Sequence, residues 1–154
     1  MFSVASNFDD ELPGRLAGME VDELFGSCDD APVGHGRPRA IIPPTSWRTL
    51  ERHVVRCRTA GLGFNLLLNP LYLGGHEENV GLERRLRRAM ARALSMGVTA
   101  VTVAHPWLVS LARETTLRVR VGSLSGSRPS SRPATGRRWA RTSSRSTPMC
   151  SVAI

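Results

Sequence analysis

The sequence contains no lysine: all 21 of its basic residues are arginine. Long apolar runs are also missing. No stretch approaches the ~18 uninterrupted apolar residues that a spanning helix needs. Met1 leads into FSVASNFDD without the basic start and apolar core of a secretory leader. The pattern speaks against a membrane protein, and a cytoplasmic location is expected. Cysteine is scarce. Cys28, Cys57 and Cys150 are widely spaced, odd in number and form no CxxC pair or Cys/His ligand group, so reduced thiols are expected and a disulfide scaffold is not. Acid runs out before the chain does. Of the 154 residues, positions 1–122 hold 15 arginines and all 13 acidic residues, a balance of +2, whereas the last 32 carry six arginines and no acid.

What is present is one modest core's worth of chain, arranged as an alternation. FSVASNF, Phe2 to Phe8, is a short apolar run ended by Asp9 and Asp10, the pattern of a buried strand entering a helix start. Glu11 to Gly18 reads as a brief helix, and MEVDELFG, Met19 to Gly26, returns to strand spacing. From Ser27 to Pro44, Gly34, Gly36, Pro32, Pro38, Pro43 and Pro44 prohibit regular structure for most of the run. Loops of that length are usually functional or disordered.

Thr45 or Ser46 can cap the next helix, in which Trp47, Leu50, Val54 and Cys57 recur at intervals of three and four. Arg48, Glu51, Arg52 and Arg58 take its other side. Gly61 and Gly63 stop it, and FNLLLNPLYL from Phe64 onward reads as a strand buried on both faces that Asn69 and Pro70 terminate. Glu78 to Met96 is the clearest helix: Leu82, Leu86, Ala89, Met90, Ala93 and Leu94 form one stripe, with Arg84, Arg85, Arg87, Arg88 and Arg92 mainly off it. After Gly97 come VTAVTVAHP as a strand, WLVSLARE as a short helix and LRVRVG, Leu117 to Gly122, as a fifth strand. Strands alternating with helices pair in parallel through right-handed crossovers, so an α/β sheet covered on both faces is predicted.

FSVASNFD, VDELFG, GHGRP, GFNLLLNPLYLGG and GVTAVTVAHPWL resemble, in order and spacing, the first half of the bacterial collagenase-like peptidases, a peptidase family of unassigned mechanism. The likeness covers residues 1–122 and implies an incomplete (β/α)8 barrel of the TIM type, because a whole barrel takes about 250 residues. It also implies a peptide or protein substrate. The sequence departs from the family pattern at His35, Leu71, Tyr72 and His105, so no family role is carried onto those side chains. Iron-sulfur clusters, which some relatives carry on later cysteines, cannot be assembled from the three here. The alternative that the resemblance implies is a non-proteolytic partner in a modification pathway, marked by an iron-sulfur cluster in its full-length version.

Residues 123–154 hold nine serines, six arginines and no periodicity, the composition of a disordered basic extension. Such an extension would hold nucleic acid only through charge, without specificity. A second origin follows from the genetic code. A lysine-free, Arg-rich chain suggests a GC-rich gene, and reading each third codon base with the first two of the next from Arg138 permits LGADVVAVD, the end of a helix and a parallel strand. The extension is then an out-of-frame product of a slip near Gly122, and the chain a truncated, inactive homologue.

In parallel barrels functional groups gather at the C-terminal ends of strands. Asn7, Asn69 and His105 sit at three such ends. The asparagines can orient a substrate amide, and His105 can move a proton near neutral pH. Each equally suits backbone groups left open where a strand stops. His76, Glu77 and Glu78 follow Gly74-Gly75 and can act as acid, base or cation ligands, but the HExxH spacing is absent. Both glutamates also suit the positive end of a helix. Arg37 in the loop VGHGRP can reach a ligand. Glu77 and His105 are therefore the candidate acid-base groups, Asn7, Asn69 and Arg37 the candidate substrate contacts. No metal site or cofactor is assigned. No GxSxG elbow appears, and no Ser, His and acid set can be assembled.

Overall fold

The computed structural model describes residues 2–35, 44–70, 72–76 and 79–122. Within them five strands and four helices alternate: β1 (Ser3–Ala5), α1 (Leu12–Leu16), β2 (Glu23–Gly26), α2 (Trp47–Thr59), β3 (Gly63–Leu68), α3 (Val80–Met96), β4 (Ala100–Val103), α4 (Pro106–Arg113) and β5 (Arg118–Val121). All four strand pairings are parallel, in the order β1-β2-β3-β4-β5. Strand order equal to chain order is the winding of a barrel wall; a doubly wound sheet reverses direction partway. The wall is open, with β1 and β5 at its edges.

Helix ends follow local chemistry. Ser46 Oγ accepts the Thr49 N–H at 3.2 Å and so caps α2, while Asn79 Oδ1 accepts the Leu82 N–H at 3.1 Å and starts α3. Helix α3 thus begins at Val80 and not at Glu78. Gly97 ends it with φ 93, and a Cβ there would lie 2.8 Å from the Arg58 Cδ.

Strand periodicity separates two faces. In register, Leu24 of β2, Phe64, Leu66 and Leu68 of β3, and Val101 and Val103 of β4 face the helices and belong to the hydrophobic core. There they meet Leu50, Val54 and Cys57 of α2, Leu86 and Met90 of α3, and Leu108 of α4, all buried. The expected burial of the first run is corrected: β1 spans only three residues, and Ser3 and Ala5 are exposed. As an edge strand it has a neighbour on one side only, and the sheet's other face is uncovered there.

The opposite, concave face carries a polar set. Glu23, fully buried, accepts from the Ser3 hydroxyl at 2.8 Å, from Asn65 Nδ2 at 3.4 Å and from Arg120 Nη2 at 2.9 Å; Arg118 lies 3.8 Å away. Asn65 also pairs with Thr102 Oγ1 at 2.9 Å. Strands β2 and β5 are three spacings apart, about 14 Å in a flat sheet, and a contact between their side chains means that the sheet curls toward this face. Curvature and buried charge are thus one feature.

Candidate functional site

The C-terminal edge of the sheet receives the loops that follow β1 to β4. Two of them, β2 to α2 and β3 to α3, enclose a rim pocket of about 320 Å³. The first loop contributes Pro32, Val33 and Gly34, the second Pro70, Tyr72, Leu73 and His76, and α3 adds Asn79, Leu82 and Arg85. Local sequence builds this wall. Asn69-Pro70 cannot extend the ladder of β3, and Gly74 and Gly75, both with positive φ, turn the chain toward α3. The lining mixes apolar surface with a few polar groups, and Tyr72 is 77% exposed.

The predicted site residues are distributed along that edge. Asn69 lies one position beyond β3 and adjoins the pocket residue Pro70. His105 lies two positions beyond neighbouring β4 and caps α4, its Nδ1 accepting the Trp107 N–H at 3.3 Å. Asn7, two positions beyond β1, is exposed, and its Oδ1 accepts the Asp9 N–H at 3.0 Å, closing a local turn. His76 lines the rim pocket. Glu77, Glu78, Arg37 and Leu71 lie outside the described residues, as do Cys150 and the whole of 123–154. No three His, Cys, Asp or Glu side chains among the described residues are grouped to hold a metal ion.

One constellation escaped the sequence reading. Ser6, just past β1, places Oγ 2.8 Å from His53 Nε2 of α2 and also accepts the Phe8 N–H at 3.0 Å. Ser6 and His53 are 5% and 1% exposed, and Phe8, at φ 60, packs its ring against the imidazole with centroids 5.2 Å apart and planes tilted by 57°. Burial holds the His53 pKa below the ordinary histidine value, with Asp10 opposing and Arg56 assisting that shift. Ser6 follows Ala5 on the alternation and so faces the helix layer, away from the concave face. The pair anchors the exit of β1 to α2; it has no access to the rim pocket. The available signal was His53 standing three residues after Leu50 on the apolar stripe of α2.

The two described cysteines are core groups. Cys28 and Cys57 are buried and free, and desolvation pushes their thiols up to about 11 and about 12. Neither is poised as a nucleophile.

No protein-family model and no curated protein matches the sequence. Solved structures do. The structure of the U32 peptidase Mk0906 is similar with a TM-score of 0.54 at 24% identity, over 69% of this chain and 42% of that one. The structure of CpGH84B is similar at 0.49 and 10% identity, over 74% of this chain and 24% of that one. The chain spans less than half the length of either. The first likeness supports the α/β fold with its parallel sheet, and among the described residues no helix is long and apolar enough to cross a membrane.

Proposed function

We propose that this chain forms the peptide-holding wall of a peptidase-like barrel, with peptide seated in the rim pocket. The observation that carries the reading is the position of that pocket: it lies at the C-terminal edge of a sequentially wound parallel sheet, where barrel enzymes collect their functional groups. The peptidase with which the fold is shared points to the same substrate class. Pocket chemistry agrees. Pro32, Pro70, Tyr72 and Leu73 offer apolar surface to side chains, and His76 and Asn79 offer hydrogen bonds to a peptide backbone.

Asn69, Asn7 and Arg37 belong to the substrate side of this reading, and His105 and Glu77 to proton transfer in a complete barrel. A wall of five strands is about half of a barrel, and on that ground we propose that these 154 residues bind peptide without hydrolysing it. The same reading takes residues 123–154 as translated out of frame, which the nucleotide sequence beyond the Gly122 codon decides.

The test of binding is fluorescence anisotropy with a labelled casein-derived peptide. Saturable binding is expected, weakened about tenfold by Tyr72→Ala and by His76→Ala, the loss typical of an interface anchor. Binding indifferent to both substitutions overturns the assignment of the pocket. Cleavage of casein peptide well above background by the purified chain overturns the inactivity.

A further inference from the structure

A second depression, of about 440 Å³, runs down the outer wall between the start of α2 and the flank of α3, and shares Pro32 and Arg85 with the rim pocket. Its charge is concentrated on one stripe. Arg85, Arg88 and Arg92 recur at intervals of three and four and line it together, opposed by Asp30 alone. Other arginines nearby are already matched: Arg87 pairs with Glu83 at 2.8 Å and Glu114 at 2.6 Å, and Arg52 and Arg56 pair with Asp10. None of the three stripe guanidinia has a carboxylate partner among the described residues. Arg92 instead lies 5.1 Å from the ring centroid of Trp47, and Asp30 Oδ2 accepts the Trp47 N–H at 2.9 Å.

We propose that this groove takes an acidic segment of the peptide whose neighbouring residues occupy the rim pocket; the inference rests on the reading of that pocket as a peptide site. Three guanidinia across about 10 Å of helix match carboxylates on one face of an extended chain, whose same-side residues recur at about 6.7 Å. Arginine suits the task because its planar fork grips a carboxylate with two parallel hydrogen bonds. A polynucleotide fits less well. Trp47 is buried and its ring already faces Arg92, leaving no platform for bases, and three cations are few against the six to ten phosphate contacts of a typical nucleic-acid interface.

The experiment uses the full 154-residue chain and two fluorescein-labelled casein-derived peptides, one carrying three Asp or Glu residues and one with Asn or Gln in their place. The comparison protein carries Arg88→Gln and Arg92→Gln, which line the groove alone and leave Arg85 of the rim pocket in place. Both sites are exposed, so its melting curve is expected to match that of the unsubstituted chain. The six arginines of residues 123–154 are common to both proteins, so only the difference between them reports the groove. In low salt the unsubstituted chain is expected to bind the acidic peptide about fivefold more tightly than the variant does, from two partly exposed charge pairs. Both proteins are expected to bind the neutral peptide alike. Equal binding of the acidic peptide by both proteins overturns the groove and leaves the rim pocket standing. Failure of the neutral peptide to bind either protein overturns the rim pocket and this inference with it. Displacement of the acidic peptide by a single-stranded oligonucleotide of equal charge at lower concentration, lost in the variant, overturns the choice of occupant.

Discussion

Removing Arg120 tests how strongly the ion pair across the curled sheet holds it together. Its guanidinium donates to Glu23 Oε2 at 2.9 Å across three strand spacings, and Glu23 has no exposed surface. Breaking a buried pair from one side typically costs about 3–5 kcal/mol, because the other charge stays buried without its counterion. Two features lower the figure here: Arg120 is 31% exposed, and Arg118 stands 3.8 Å from the same carboxylate. Arg120→Ala is therefore expected to cost about 2–3 kcal/mol, on the order of 10 °C in Tm for a domain of this size. Glu23→Gln keeps the Ser3 and Asn65 contacts and removes the charge that faces Arg120, so about 1–2 kcal/mol is expected. The double variant should fall short of the sum by about 1 kcal/mol or more, the signature of a direct contact. Urea unfolding followed by tryptophan fluorescence measures all three. If Arg120→Ala lies within about 0.5 kcal/mol of the unsubstituted chain, as an ordinary surface arginine would, then the pair does not hold the sheet together.

His53 makes stability fall in acid. Its pKa is depressed in the fold, so between the ordinary value near 6.5 and the lower folded value the unfolded chain binds the extra proton. Stability should be flat above that ordinary value and decline below it by up to about 1.4 kcal/mol per pH unit, a slope that His53→Gln removes; an unchanged slope in that variant would count against the burial of the imidazole. Cys28 and Cys57, with thiols raised to about 11 and about 12, should resist a thiol reagent at pH 8 until urea unfolds the chain. Fast labelling of both in the folded state would contradict their placement in the core. Gly26→Ala would set a Cβ 2.8 Å from the Phe8 ring, and a loss of about 1–3 kcal/mol is expected by thermal denaturation.

Much of the helix layer was legible in the sequence because its signals are local. The stripe from Leu82 to Ala93, the cap at Ser46 and the stop at Gly97 each depend on residues within one or two turns, and each has its counterpart in α2 or α3. The continuous run of β3 marked the centre of the sheet for the same reason. Alternation alone did not distinguish a barrel wall from a doubly wound sheet; strand order did. The concave polar set was hidden by sequence distance. Asn65 stands inside the run GFNLLL, and Glu23 meets Arg120 across 97 residues, so periodicity gave the face of each side chain without its partner. Ser6 and His53, 47 residues apart, were hidden likewise. Of the candidate site, Asn69 and His105 fall on adjacent strand ends as their sequence positions imply, and His76 enters the rim pocket. The other wall of that pocket, Pro32 to Gly34, depends on how two irregular loops pack, for which no local pattern exists.

A titration of the isotopically labelled chain with the neutral casein-derived peptide, followed through backbone amide resonances, tests the rim pocket as the peptide site. Saturable shifts confined to residues 32–34, 72–76 and 79–85 are expected. Shifts centred instead on Glu23, Asn65, Thr102 and Arg120 of the concave face, or none that saturate, would contradict it.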